Sequence, residues 1–322
     1  MTKKVLTKTN QMSRDEWLHL RRKGIGGSDA AAACGLSRYK SMFALYQEKM
    51  GKVVPELAGE AAYWGTVMEP VLRSEFGRRT GLTVEPMPYL FYASDHPFMI
   101  ADIDGIVREK DGSVSLVEIK TANAYAAPDW VGGLPIEYYM QVQHYLYVCD
   151  LTHAYVVVLI GGNDFRTIEL DRDPDTVQSL IKLESDFWIN HVEKGTAPAV
   201  DGMESTSKVL EQLYPTAEKI SMVLPESADE LVSYYLSLQS QEKSLKTEKT
   251  AVENQLKELL KDNQCALTPA GYAVSWKNVT TNRLDTTALR KDHPDLVAQY
   301  TKAASSRRFS IKFTHTNQKG DK

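Results

Sequence analysis

The chain has 322 residues, enough for one sizeable domain with an appendage or for two modest domains, each able to bury a core. Its composition is that of an ordinary water-soluble protein. No stretch approaches the roughly 18 to 20 continuous apolar residues of a membrane span, and the opening MTKKVLTKTNQMSRDEW has no apolar signal core, so no membrane partner and a cytoplasmic location are expected. The net charge of −4 is unevenly spread: 14 Lys and Arg against 8 Asp and Glu in residues 1–80, 7 against 20 in residues 81–204, and 17 against 14 in residues 205–322. A basic first segment and an acidic middle suit a polyanion gripped at one place and cut at a metal in another, although halves of a protein also differ in charge by chance. Cys34, Cys149 and Cys265 match no zinc or iron–sulfur spacing and read as free thiols of a reducing compartment, which argues against a thiolate metal centre.

Residues 13–23 read as a helix, with Ser13 as N-cap, Glu16 three residues later as in a capping box, and Trp17, Leu18 and Leu20 on its apolar side. After Gly24 comes Ile25-Gly26-Gly27-Ser28-Asp29, a glycine loop that delivers Ser28 to the start of an alanine-rich helix ending at Gly35. Such a helix start offers unpaired N–H groups to an anion, with Arg21 and Arg22 just upstream; equally, Ser28 is an ordinary cap. Residues 39–50 form a short helix closed by Gly51, and 52–59 a loop. From Glu60 to Thr80 a longer helix carries Trp64, Val67, Met68, Val71, Leu72 and Phe76 at helical spacing. Glu69 borders that stripe, with Gly65 one turn before it and Arg73 one turn after, so an i, i+4 ion pair is an alternative to a functional role.

The stretch Ile100–Val107, a turn at Asp111-Gly112-Ser113, and Leu116–Lys120 predict a β-hairpin that brings Asp104 beside Glu118. Strand alternation sends Glu118 and Lys120 to one face and Ile119 to the other. Asp102, Asp104 and Glu118 would then crowd together and repel unless a cation sits among them, and the oxygen ligands select a hard divalent ion, Mg²⁺ or Mn²⁺. The alternative is a solvated charged face in which Lys120 pairs with an acid.

Residues 121–135 read as a loop with Trp130 exposed or at a mouth. Ile136–Cys149 predicts an amphipathic helix showing Gln141, Gln143 and His144 on its polar side. Residues 153–160 and 164–170 are strands joined by Gly161-Gly162-Asn163, and 174–194 a helix. The order is that of a mixed α/β layer. Residues 199–226 read as a linker holding a short helix near Lys208–Tyr214. Residues 227–322 then form an appendage: a long helix to Asp262, with Leu231, Leu238, Leu245, Val252 and Leu259 at every seventh position and a second seam spoiled by Glu242 and Lys249, followed by strands at Gly271–Trp276 and Arg308–Phe313. Arg283, Arg290, Lys291, Arg307 and Arg308 beside Tyr272 and Trp276 are either a nucleic-acid contact or a small solvated sheet.

Over roughly residues 13–195 the chain resembles the YqaJ-type viral recombinases, the phage alkaline exonuclease family that is lambda exonuclease-like, within the PD-(D/E)XK nuclease superfamily. The proline-aspartate of that signature is here Ile103-Asp104, and the (D/E)XK is Glu118-Ile119-Lys120. The opening WLxLRxxGIGGSDAAA runs from Trp17 to Ala32, W-G-x-x-x-E from Trp64 to Glu69, and the glutamine motif is Tyr138-Tyr-Met-Gln-Val-Gln143. Each segment is weak alone; their order is specific.

The resemblance implies a restriction-endonuclease-like mixed sheet flanked by helices over residues 1–198. It implies that Asp104, Glu118 and the Ile119 carbonyl bind Mg²⁺, with Mn²⁺ as the alternative, and that Lys120 orients or deprotonates the attacking water. Gln141 would help place that water, and Glu69 would be an outer ligand or proton acceptor. Arg21 and Ser28 would hold a terminal 5′-phosphate, ungapped spacing favouring Arg21 over Arg22. Asp102, where lambda exonuclease has serine, is a candidate extra ligand. Lys120, crowded by cations, is expected to have a lowered pKa. The implied activity is 5′-to-3′ resection of linear double-stranded DNA ends in a bacterial host, from a phage or prophage gene. A homo-oligomer, a trimer by resemblance, would leave a 3′ single strand for an annealing protein. A nicking or structure-selective endonuclease and a non-catalytic DNA-binding partner are the alternatives.

Overall fold

The structure, a computed structural model, describes residues 4–10, 12–55, 59–218, 220–303 and 305–313. Residues 56–58 of the expected loop at 52–59, and the first three residues of the chain, lie outside the described residues. The chain divides into one unit ending at Tyr214 and another beginning at Pro215.

The first unit runs β1 (Lys4–Lys8), α1 (Arg14–Arg21), β2 (Ile25–Gly26), α2 (Gly27–Ala33), α3 (Met42–Lys49), α4 (Glu60–Thr80), β3 (Val84–Glu85), β4 (Tyr89–Tyr92), β5 (Met99–Asp102), β6 (Gly105–Arg108) and β7 (Val114–Ala122). After a 3₁₀ turn at Ala124–Trp130 follow α5 (Ile136–Val148), β8 (His153–Ile160), β9 (Asp164–Asp171), α6 (Pro174–Phe187), a π-helical turn at Trp188–Glu193, and α7 (Glu204–Leu213). Five strands form one sheet in the order β3-β6-β7-β8-β9, and four form another in the order β1-β4-β5-β2.

The hairpin of β6 and β7 is present, its register pairing Gly105 with Val117 and Arg108 with Val114. The strand expected over 100–107 is not continuous. β5 ends at Asp102 in the four-stranded sheet, β6 begins at Gly105 in the five-stranded one, and Ile103 and Asp104 cross between them. Gly105 permits the crossing: a Cβ there would lie 2.7 Å from Val84 Cγ1 and 2.9 Å from the Glu85 carbonyl oxygen.

β7 is covered on both faces. Leu116 packs with Val142, Tyr145 and Leu146 of α5, while Val117 and Ile119 pack with Leu72 and Phe76 of α4. Because α4 meets the sheet only along Met68, Leu72 and Phe76, the expected apolar stripe is half used, and Trp64, Val67 and Val71 are exposed. Trp130 is buried instead of lying at a mouth, because the 3₁₀ turn lays it on the Tyr138 ring at a centroid distance of 5.3 Å. α7 packs on α3, where the Thr206 hydroxyl donates to Ser41 Oγ at 2.7 Å, so the first part of the stretch read as linker belongs to this unit.

In the second unit α8 (Ser227–Leu260) is the long helix, with Leu231, Leu238, Leu245, Val252 and Leu259 exposed. β10 (Cys265–Leu267) and β11 (Ala273–Ser275) pair antiparallel, followed by α9 (Thr286–Asp292) and α10 (Pro294–Tyr300). Residues 308–313 form no strand; β11 takes β10 as its partner instead. No helix among the described residues is long and apolar enough to cross a membrane.

Candidate active site

A site forms where the chain passes from β5 to β6. Continuing the β6–β7 register by one residue sets Asp104 opposite Glu118. Asp104 Oδ2 accepts the Ile119 backbone N–H at 2.7 Å, and Arg73 Nη2 donates to the Asp104 carbonyl oxygen at 3.1 Å. These two bonds fix the aspartate at the crossing. On β7, alternation puts Glu118 and Lys120 on one face, and Lys120 Nζ meets Glu118 Oε1 at 2.6 Å. Gln141 of α5 donates to the same oxygen at 2.7 Å and to the Tyr145 hydroxyl at 3.2 Å. Glu118 Oε2 is buried and has no hydrogen-bond partner among the described residues. The Lys120 ammonium lies over the Tyr138 ring, 5.1 Å from its centroid.

α4 contributes Glu69, ion-paired with Arg73, so the expected i, i+4 pair exists and faces the site as well. From α1, Trp17 Nε1 donates to Asp102 Oδ2 at 3.3 Å, and the Arg21 guanidinium stacks 4.9 Å above the Trp17 ring. Arg21 Nη2 donates to Ser28 Oγ at 2.8 Å and to Asp29 Oδ2 at 2.6 Å, and Lys49 Nζ donates to Asp29 Oδ2 at 2.8 Å. Ser28 is therefore not a helix cap. It sits inside α2, and its hydroxyl is held by arginine. Gly27 is required by packing, since a Cβ there would lie 2.4 Å from the Tyr145 ring.

Arg21, Ser28, Glu69, Asp102, Asp104, Glu118, Ile119, Lys120 and Gln141 all line one open cavity of about 480 Å³. The structure thus brings together the whole set of sequence-predicted site residues. Arg22 does not join them; it faces a neighbouring cavity. Sequence reasoning missed Trp17, Asp29, Tyr138 and Tyr145, of which Asp29 carried a signal as the lone charge in an alanine run. It also expected Gln141, Gln143 and His144 on a polar face, whereas all three are buried.

The electrostatics follow from crowding. Burial and the Asp104 charge push Glu118 up to about 8 in spite of Lys120. Burial raises Asp104 against the pull of Lys120, the Ile119 N–H and Arg73, and raises Asp102 against the Trp17 hydrogen bond. Glu69 is raised by burial and by Asp104. For Lys120 burial acts downward, but Glu118 and Asp104 outweigh it and its pKa is raised. The expected lowering belongs to the site with its cations bound; the carboxylates by themselves act the other way. Asp29 is the opposite case: burial acts upward, and Arg21, Lys49 and Lys40 overcome it to hold the carboxyl well below its ordinary range.

The donor set suits a hard divalent cation. It offers carboxylate oxygens in excess of local positive charge, one of them buried and unpartnered. Among the described residues no three His, Cys, Asp or Glu side chains form a ready metal cage.

A profile of the YqaJ-like viral recombinase domain matches residues 16–152. The chain is 37% identical over 313 residues to the uncharacterized protein YqaJ of Bacillus subtilis (strain 168), covering 96% of this chain and 97% of that protein. Among solved structures it is similar to the alkaline exonuclease LHK-Exo from Laribacter hongkongensis, with a TM-score of 0.48 and 20% identity, over 56% of this chain and 94% of that one. A phage related exonuclease from Haemophilus somnus 129PT gives a TM-score of 0.40 at 10% identity, over 56% of this chain and 99% of that one.

Proposed function

The chain belongs to the YqaJ-like viral recombinase family, and on that premise we propose that it is a Mg²⁺-dependent exonuclease that resects linear double-stranded DNA from a 5′-phosphorylated end. The observation that carries this reading is the meeting of Asp104, at the β5–β6 crossing, with Glu118 of β7 around a buried oxygen that has no partner among the described residues, with Lys120 beside it. Asp104, Glu118 and the Ile119 carbonyl would hold the cation, with Asp102 as an added ligand. Bound divalent ions supply a hydroxide-like nucleophile near neutral pH and neutralise charge on the leaving oxygen.

The chain's own groups do the rest. Lys120 Nζ, 2.6 Å from Glu118 Oε1, orients the attacking water and the phosphate. Glu69, whose raised pKa makes it a better base than a free carboxylate, accepts the water's proton, and Arg73 fixes its position. Gln141 locks the Glu118 carboxylate. Arg21 and Ser28, pre-aligned with each other, hold the 5′-phosphate. Family likeness extends the reading to a ring-shaped homo-oligomer, a trimer, that leaves a 3′ single strand for an annealing protein in a bacterial cytoplasm.

The test is digestion of linear duplexes with 5′-phosphate, 5′-hydroxyl or hairpin ends, in Mg²⁺ or in EDTA, with each strand labelled. Loss of the 5′-phosphorylated strand alone, in Mg²⁺ alone, is expected. Activity in EDTA would discard the metal, equal rates on phosphate and hydroxyl ends would discard the Arg21–Ser28 clamp, and cutting of covalently closed circles at the linear rate would replace the exonuclease with an endonuclease.

A further inference from the structure

The wall that closes the active cavity has a second side. Trp17 and Arg21 also line a neighbouring cavity of about 540 Å³ whose charge is reversed. The first cavity holds the carboxylates of Glu69, Asp102, Asp104 and Glu118 against Arg21 and Lys120. Among the described residues, Arg14, Arg21, Arg22, Lys40 and Lys49 stand around the second against Asp29 and Glu48. Both of those acids are already engaged. Asp29 takes Arg21 and Lys49, and Glu48 takes Lys40 Nζ at 2.7 Å. The guanidinium groups of Arg14 and Arg22 have no hydrogen-bond or ion-pair partner among the described residues. A concave excess of positive charge with two arginines unengaged among the described residues is a site for an anion, and guanidinium matches phosphate oxygens in geometry.

We propose that this second cavity is a phosphate subsite, in which Arg22 and Arg14 grip a backbone phosphate of the DNA strand whose end lies in the first cavity. The proposal rests on the nuclease reading above. It follows from the charge of a strand crossing the site: beside the carboxylates each phosphate is repelled unless cations intervene, whereas past Trp17 and Arg21 it meets the cationic excess directly. Arg21 stands at the boundary, oriented by Asp29, and separates the end-binding position from the backbone-binding one. On this view Arg21 and Arg22, adjacent in sequence, serve two different phosphates.

The experiment measures binding of the full chain to a 5′-phosphorylated linear duplex in EDTA over a range of salt, for wild type, Arg22→Gln and Arg14→Gln/Arg22→Gln. A 5′-mononucleotide serves as a second ligand. Because neither guanidinium has a hydrogen-bond or ion-pair partner among the described residues, the fold is expected to be retained, which circular dichroism checks. Duplex affinity is expected to fall several-fold, and the slope of log Kd against log salt to become shallower by about 1 for each phosphate no longer gripped. The ratio of cleavage rates on phosphate and hydroxyl ends is expected to stay at the wild-type value. An unchanged affinity and salt slope would overturn the subsite. So would a vanished preference for phosphate ends, which would make Arg22 the end clamp, or an effect confined to the mononucleotide, which would make the cavity a site for free nucleotide. A wild type that binds DNA with the expected salt slope but does not cleave it would sink the nuclease reading and leave this subsite standing.

Discussion

Replacing Glu118 with glutamine should make the metal-free protein more stable while abolishing cleavage. The carboxyl is 2% exposed, and burial together with Asp104 moves its pKa from 4.5 to about 8. Between those two values the folded chain binds more protons than the unfolded one, so stability falls as pH rises through that window. Each pH unit is worth about 1.4 kcal/mol. At pH 7 the wild type is therefore weakened by about 3 kcal/mol relative to a chain with no titratable group at 118, and the attraction of Lys120 is already included in that figure. The amide of Glu118→Gln keeps the shape and can still accept from Lys120 and Gln141 through its oxygen. Urea unfolding in EDTA, followed by tryptophan fluorescence, should show the variant about 3 kcal/mol more stable at pH 7, with the difference nearly gone at pH 4.5. Adding Mg²⁺ should then stabilise the wild type and not the variant. A variant equal to or weaker than wild type at pH 7, or a gap that does not shrink in acid, would refute the claim that function strains this residue.

Other consequences follow from the same geometry. Lys120→Met should lower kcat about 100-fold or more with little change in KM, because its ammonium acts on the reacting groups and not on the strand at large; single-turnover kinetics would show this. Arg21→Lys keeps the charge but loses the planar fork that binds Ser28 and Asp29 from one nitrogen, so the preference for 5′-phosphate over 5′-hydroxyl ends should fall about tenfold, read from rates on the two duplexes. His144 is fully buried with Nδ1 2.9 Å from Glu184 Oε1 and Nε2 2.9 Å from the Ile100 carbonyl oxygen, two acceptors that both require a proton. Burial acts to lower its pKa, but Glu184 outweighs it and the value is raised from 6.5. The stability this pair contributes is therefore complete below pH 6.5 and lost as pH rises through the folded value. The Tm gap between wild type and His144→Gln should be larger at pH 6 than at pH 9, and an equal gap would show that His144 is neutral.

The elements that carry the site were legible because each has a local cause. The hairpin follows from alternation and the Asp111-Gly112 turn, α1 from its capping box, and α4 and α5 from helical spacing. The break at Ile103–Asp104 was not legible. Residues 100–107 read as one apolar run broken only by Asp102, Asp104 and Gly105, and only the close approach of β3 to Gly105 decides that the chain leaves one sheet for the other. The burial of Gln141 and Gln143 was hidden for a related reason: amides read as solvent-facing until a buried carboxylate and a strand carbonyl are found to need them. Trp64 and Trp130 were misjudged in opposite directions, since a ring is buried only where another element arrives to cover it. In the second unit the seam of α8 was plain from its seven-residue spacing, but the short strand β10 that pairs with β11 was not read from the sequence.

The placement of Asp104 at a crossing between sheets has a consequence for how the site works. A carboxylate in the middle of a strand would have a neighbour on each side able to satisfy it, whereas at the crossing Asp104 has one backbone donor, the Ile119 N–H, and otherwise faces Glu118. Asp104 therefore raises Glu118, while Asp104 itself is raised by burial against Lys120, the Ile119 N–H and Arg73, so without a cation Glu118 keeps its proton to higher pH than a free carboxyl would. Protons and divalent ions then compete for the same oxygens, so cation affinity must rise with pH until Glu118 is fully ionised. The burial that destabilises the empty cluster is the same burial that strengthens its hold on a cation. The extended packing of α4 and α5 against β7 offsets the cost of that burial: the hydrophobic faces at Leu72, Phe76, Val142 and Leu146 stabilise a strand that must carry two charges inward.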